Sequence, residues 1–364
     1  MRAAAIWTVV SAAIAIAPGR TQQAAAPANL PPGKPMIWED RGSLTPTRVY
    51  FAQASETSDP LSRLPLGPFS HFEKDLAGSR TNPKAKLTDS RGIRWTVKWA
   101  SESRSDIAAP RLAWALGFGS VECYSVPGGH VEGITSKTDL GRAGSWVHRD
   151  GTLIGPGRFK RHDKEADEIH DSEGKDINWD EAHNPGVPPE QLSGLILFDV
   201  LVVNWDSQPK NSKVLHVTGK DGPENWFIES DLGATFADRW WNKFDLPRYR
   251  KAPPMVKAVI GDTVELNYVD QSKAEELLHR QVSLAHARWF RGQLMKLTDE
   301  NIRAAFDAAF ATDGLNRAYA TGDSAQIRAS RETELSTESR AVIDGFVAAV
   351  RARIDAFKAA IHPQ

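Results

Sequence analysis

The chain has 364 residues, 41% of them hydrophobic and 25% charged, with a formal net charge of −1. That is the composition of a globular protein and excludes a wholly disordered one. Near-neutrality removes any chain-wide electrostatic case for nucleic acid or an anionic membrane as partner, and a single cysteine, Cys123, rules out an intrachain disulfide or a thiolate metal cluster.

At the N-terminus, Arg2 precedes an apolar run over residues 3–17. A charged start and a short hydrophobic stretch have the form of an export signal, and the stretch is too short to span a bilayer. Residues 1–17 are therefore read as a signal peptide and 18–35, rich in Ala, Pro, Gln and Gly, as a linker. The expectation is a secreted or periplasmic protein with no membrane span in its mature chain.

Residues 36–127 read as a β-rich lobe. Met36–Trp38 and Arg48–Ala52 are short strand candidates, and 53–70, with Pro60, Pro65 and Pro68, is loop. Residues 84–99 have the pattern of a hairpin: the turn is at Ser90-Arg91-Gly92, Ile93–Trp99 alternates as a strand does, and Lys98 falls near its end. A helix follows over 105–117, with Ile107, Leu112, Ala115 and Leu116 on one face, Pro110 about the first turn and Gly117 as the C-terminal cap. Val121–Pro127 is a further strand. Cys123 within it reads as a small buried hydrophobe.

Residues 128–187 show little periodicity and read as a loop-rich surface insert. It contains His148-Arg149-Asp150, a kinase-like tripeptide with Gly155 rather than Asn five positions later, and a His/acid run over 161–183 that reads as a solvated loop rather than a metal site. Residues 188–364 read as a helical lobe. One helix runs from Pro188 through Val203; others are expected over 271–297, 298–311, 324–330 and 336–361, with Thr298 as a cap. The order of elements predicts an α+β chain.

The chemistry concentrates where the apolar run 197–203 stops at Asn204-Trp205-Asp206. Asn211 follows Asp206 by five positions, and Phe227–Ser230 then leads into Asp231-Leu232-Gly233. An Asp with an Asn five residues on, then a strand and an Asp-x-Gly, is the layout of a kinase catalytic loop and metal loop. The first carboxylate can accept a hydroxyl proton, and the Asn and second Asp are oxygen ligands suited to magnesium, a hard ion. Turn residues after a helix and after a strand are the plain alternative for both.

In this order and spacing, residues 70–240 resemble the protein-kinase-like superfamily, above all its atypical branches: HipA-type kinases, lipid kinases of the phosphoinositide class, secretory-pathway kinases and a group of exported bacterial proteins. The resemblance implies a two-lobed protein-kinase-like fold, with a β-rich N-lobe and a mainly helical C-lobe. It implies that Lys98 holds nucleotide phosphates, oriented by Asp106 or Glu102, and that Gly78 and Ser79 lie in a phosphate-covering turn. Asp206 would be the catalytic carboxylate, with Asn211 and Asp231 holding Mg2+. The implied cofactors are ATP, or another nucleotide, and magnesium, and the implied partner is an acceptor bearing a hydroxyl group. The chain departs from the ordinary pattern in two ways. Asn204 and Trp205 stand where conventional kinases have His and Arg, and no G-x-G-x-x-G is present. Because a periplasm holds little ATP, a non-catalytic kinase-like binding module, a pseudokinase, is the alternative.

Overall fold

A computed structural model describes residues 30–52, 59–74, 82–162, 166–168, 186–207, 211–237, 244–268 and 281–362. In chain order the first elements are β1 (Lys34–Met36), α1 (Pro46–Phe51), β2 (Ser70–Lys74), β3 (Lys84–Thr88), β4 (Arg94–Lys98), α2 (Ser105–Ala115), β5 (Cys123–His130), β6 (Thr152–His162) and β7 (Ala166–Glu168). They are followed by α3 (Pro189–Val202), β8 (Ser212–Gly219), β9 (Gly222–Glu229), α4 (Leu246–Lys251), β10 (Val256–Ile260), β11 (Thr263–Leu266) and β12 (Gln281–Ser283). The last five helices are α5 (Leu284–Leu294), α6 (Asp299–Ala309), α7 (Asp313–Thr321), α8 (Ser324–Glu334) and α9 (Thr337–Ala360). The chain is thus α+β, strand-rich toward its N-terminus and helical toward its C-terminus. Residues 1–29, which hold the expected signal peptide and most of the linker, lie outside the described residues. The linker reading gives way at Lys34, where β1 begins and pairs in parallel with β9.

Five strands form an antiparallel sheet in the order β2-β3-β4-β6-β5. The expected hairpin is present, with Leu87 opposite Trp95 and Lys84 opposite Lys98. Side chains alternate between faces along a strand. Ala85, Leu87, Trp95, Val97 and Phe159 are buried on one face, while the register Lys84–Lys98–Arg158–Ser125 runs across the other. The stretch 152–162, expected as part of a surface insert, is an inner strand of this sheet. Its pattern is masked by Gly155-Pro156-Gly157, where an added side chain at Gly155 would collide with the Pro127 backbone.

Arg48–Ala52 is not a strand but lies in α1. Val49-Tyr50-Phe51 has strand-like composition, yet the Thr45 side chain accepts the Arg48 N–H and Pro46 opens the helix. Tertiary contacts then hold it. The Tyr50 carbonyl accepts from Arg111 Nε at 2.6 Å, its ring stacks on Tyr319 at 4.0 Å, and its hydroxyl donates to Asn316 at 2.7 Å.

The helix α2 forms where expected, but all eleven of its residues are buried rather than one face, because α1 and α6 cover the sides away from β5. Pro110 sits inside it, not in its first turn. Gly117, at φ +97°, follows the Leu116 C-cap as anticipated.

The helix α3 is apolar almost all round and buried from Leu195 to Val202. Its last carbonyls are satisfied from outside: Arg353 of α9 donates to Val200 O at 2.7 Å and Leu201 O at 3.1 Å, and Tyr249 donates to Leu201 O at 2.8 Å. The region after Asp231 is not purely helical, since β10, β11 and β12 form a small antiparallel sheet. The helix expected over 271–297 is shorter. Residues 269–280 lie outside the described residues, and α5 starts after Ser283, whose side chain accepts the His286 N–H. The helices α6 and α9 match expectation, α8 runs four residues longer, and α7 was missed. Among the described residues no helix is long and apolar enough to cross a membrane.

Candidate functional site

Lys98 ends β4 with only 2% of its side chain exposed. Its ammonium contacts Glu102 Oε1, Asp106 Oδ2 at 3.0 Å and Asp231 Oδ1 at 3.5 Å. The choice between Asp106 and Glu102 is therefore not exclusive. Glu102 arrives on the short turn Ser101–Ser103 and Asp106 on the first turn of α2. Asp106 is shared with a second cation, Arg158 of β6, whose Nη2 and Nε lie 3.1 and 3.3 Å from Oδ2. Two cations and three carboxylates, four of the five buried, form one cluster.

Asp231 follows β9, and its side chain is 40% exposed, unlike the other carboxylates around Lys98. Burial would push its carboxyl up, but Lys98, then Arg158 and Lys84, outweigh that and hold its pKa at about 2. It is a permanent anion at neutral pH. Gly233 does not owe its place to positive φ. An added side chain there would meet Asp106 Oδ1 at 3.0 Å and Asp231 Oδ1 at 3.1 Å, so glycine is what lets α2 and this turn close together. The closure is pinned by Ser105 Oγ donating to Thr235 O at 3.0 Å.

The second half of the site hangs from the end of α3. Val203 caps the helix at φ +56°, a left-handed conformation costly for a β-branched residue. Asn204, 3% exposed, organises the turn. Its N–H donates to Asp199 O and its Nδ2 to Asp199 Oδ1, both at 2.9 Å, and its Oδ1 accepts the Asp206 N–H at 3.3 Å. Asn211 Nδ2 then donates to Asp206 O at 2.7 Å and Asp206 Oδ2 at 3.0 Å. Asn211 O accepts from the N–H and Oγ of Ser230 at 2.7 and 3.0 Å, and the Trp205 N–H donates to Ala234 O at 3.3 Å. These bonds tie Asn211 to Ser230, the residue before Asp231. Lys98, Glu102, Asp106 and Asp231 form one ion-pair cluster, and the Asp206–Asn211 pair is tied to the chain beside it through Ser230.

A divalent ion fits this donor set in part. Asp231 supplies a carboxylate oxygen, and Asn211, with Nδ2 committed to Asp206, has its amide oxygen to offer. Among the described residues no group of three His, Cys, Asp or Glu side chains could hold a metal unaided.

Gly78 and Ser79 lie outside the described residues, as does most of the His/acid run. Just beyond Gly78 and Ser79, Asn82 Nδ2 donates to Glu102 Oε1. His148-Arg149-Asp150 forms an exposed turn into β6, with Asp150 Oδ1 accepting the Thr152 N–H at 2.8 Å, and takes no part in the cluster. Cys123 is buried, and burial raises its thiol pKa, as befits an inert core cysteine.

Sequence reasoning missed Arg158 and the buried acids Asp199 and Glu229. Arg158 left no signal, being inside an aperiodic stretch. Asp199 did leave one, a lone acid in the apolar run 195–203. Burial pushes it up to about 6 against hydrogen bonds with Glu229, Asn204 and Ser207.

No protein family's sequence profile matches the chain, and no curated protein sequence does. Among solved structures the chain is similar to a Helicobacter pylori proinflammatory kinase, CtkA, at 11% identity and a TM-score of 0.37, over 80% of this chain and 99% of that one.

Proposed function

We propose that this chain is an exported, kinase-like phosphotransferase that uses ATP, or another nucleotide, with magnesium to phosphorylate a hydroxyl group. What supports the reading is the Lys98–Asp231 ion pair at 3.5 Å, together with the Asp206–Asn211 pair whose Asn211 carbonyl accepts from Ser230, the residue before Asp231. In this reading Lys98, aligned by Glu102 and Asp106, neutralises nucleotide phosphates. Asp231 and Asn211 hold the metal, and Asp206 receives the acceptor's proton. Phosphoryl transfer asks mainly for positioning and charge neutralisation, so these few groups suffice. The export reading rests on residues 2–17.

The first test is the melting temperature with and without ATP and magnesium. A ligand bound only by the folded state stabilises it by about 2.7 kcal/mol at a hundred times its Kd. The expected result is a magnesium-dependent rise that Asp231→Ala abolishes. No shift at millimolar nucleotide overturns the reading. A shift with no transfer of labelled phosphate to any hydroxyl substrate or to the chain itself would favour the non-catalytic module instead. If transfer occurs, Asp206→Asn should stop it while nucleotide binding persists.

A further inference from the structure

The polar face of the five-stranded sheet carries a row of cations that the chemistry just described uses only in part. Lys84 of β3 lies directly opposite Lys98 of β4, and Lys98 directly opposite Arg158 of β6. Residues opposite each other in an antiparallel pair point to the same face, and the neighbouring Ala85 and Val97 are buried on the other. Lys84, Lys98 and Arg158 therefore stand side by side, one strand spacing of about 4.8 Å apart. Like charges directly opposite one another destabilise a sheet, so such a row costs stability unless anions lie against it. Two of its members have built-in anions and are sealed from water: Lys98 and Arg158 are 2% and 5% exposed and share Asp106. The row is closed at one end by the buried Ser125 and opens at the other on Lys84, which is half-buried. Lys84 is also held in place. β3 is paired on both sides, with β2 and β4, and the Trp99 N–H donates to Pro83 O at 3.2 Å just before it.

We propose that Lys84 is a second phosphate-binding residue of this site, and that Lys84 and Lys98 together select a phosphate chain, a di- or triphosphate, over a monophosphate. The proposal rests on the reading of Lys98 as a phosphate-binding cation. A lone phosphate seated at Lys98 gains little from Lys84. A chain runs on from Lys98 to Lys84, one strand outward, and sets an anionic group against each ammonium. The next lysine on the same face, Lys86, lies opposite Thr96 and pairs with Glu73 at 3.1 Å, so it stands outside the row and serves as the control.

The test is equilibrium binding of ATP, AMP, inorganic tripolyphosphate and inorganic phosphate to the whole chain in metal-free buffer. Lys84→Met should weaken ATP and tripolyphosphate about tenfold, the scale of one charge-assisted hydrogen bond, and AMP and phosphate less than about twofold. Lys84→Arg, which keeps the charge, should restore most of the affinity, and Lys86→Met should match wild type. Undiminished ATP binding in Lys84→Met, equal losses for ATP and AMP, or an equal loss in Lys86→Met would overturn the proposal. Should Lys84→Met not fold, Lys84→Gln carries the comparison. The proposal and the reading beneath it fail separately. Magnesium-dependent ATP binding that is indifferent to Lys84 removes the second phosphate site and leaves the phosphotransferase. Lys84-dependent tripolyphosphate binding without any magnesium-dependent ATP binding keeps the row as a polyphosphate site and removes the phosphotransferase. A wild type that binds none of these probes overturns both.

Discussion

The two halves of the site are built on opposite electrostatic plans. Around Lys98 the sheet and α2 bring cations and carboxylates together, and the neighbouring Asp231 is driven down to about 2 by Lys98, Arg158 and Lys84 against the pull of burial. Beneath Asp206 there is no such cation against Asp199 among the described residues, and burial drives that acid up to about 6. The same side-chain type in one protein is held below its ordinary value on one side and raised above it on the other. The difference is both company and depth: cations face the half-exposed Asp231, while Asp199 is fully buried without one. The charged half pairs cations with carboxylates, and the hydrogen-bonded half fixes a turn.

The harshest way to break the charged half is Lys98→Met. It strands Glu102 and Asp106 without their ammonium, and removing one partner of a buried ion pair costs about 3–5 kcal/mol, to be read from urea denaturation. A cost under about 1 kcal/mol would mean that Arg158 alone balances the carboxylates. The scaffold of the other half is broken next. Arg353→Ala removes charge-assisted hydrogen bonds to the last carbonyls of α3 and should cost about 2–3 kcal/mol. Because these carbonyls sit just before the Asp206 turn, exchange at residues 203–206 should rise with it.

A pH series sharpens the contrast between halves. Asp199 is a raised acid, so its contribution is fully present below the ordinary carboxyl value of 3.8 and is lost as pH rises through about 6. Asp231 is a lowered acid, so its contribution is present above 3.8 and lost as pH falls toward 2. In metal-free protein, Asp199→Asn should flatten the decline in denaturation midpoint on the neutral side, and Asp231→Asn should blunt the loss on the acid side. Parallel curves for Asp199→Asn and wild type from pH 4 to 7 would remove the opposition between the halves. The smallest effect belongs to the look-alike tripeptide. Asp150→Ala, in an exposed turn outside both halves, should leave the melting temperature and nucleotide binding unchanged within error, and a loss of binding would show that the site is misplaced.

Legibility followed the range of the interactions. Asp206, Asn211 and Asp231 were readable because their spacing is local: a helix ends, a turn follows, and a hairpin returns the chain to the same place. Lys98 was readable from strand alternation. Arg158 was not, because it joins the cluster only through the register of β6 against β4, and Gly155-Pro156-Gly157 hides that strand's period. Val49-Tyr50-Phe51 misled because strand-like composition lost to a capped first turn and to packing against α2 and α7. Gly233 stands where Asp106 approaches from a helix more than a hundred residues earlier in the chain, a meeting that no local pattern records.

By itself the sequence determined the α+β order, the hairpin bearing Lys98, the apolar helix that ends at Asn204 and the spacing of Asp206, Asn211 and Asp231, because each depends on contacts within a few residues or on a simple periodicity. Only the tertiary structure decided that Glu102 and Asp106 both meet Lys98, that Arg158 joins them, and that Glu229 of β9 accepts from Ser207 of the Asp206 turn. Those are meetings between distant segments. A buried charge or carboxyl is tolerated only when the whole fold brings it a partner, and no local pattern records which partner that is.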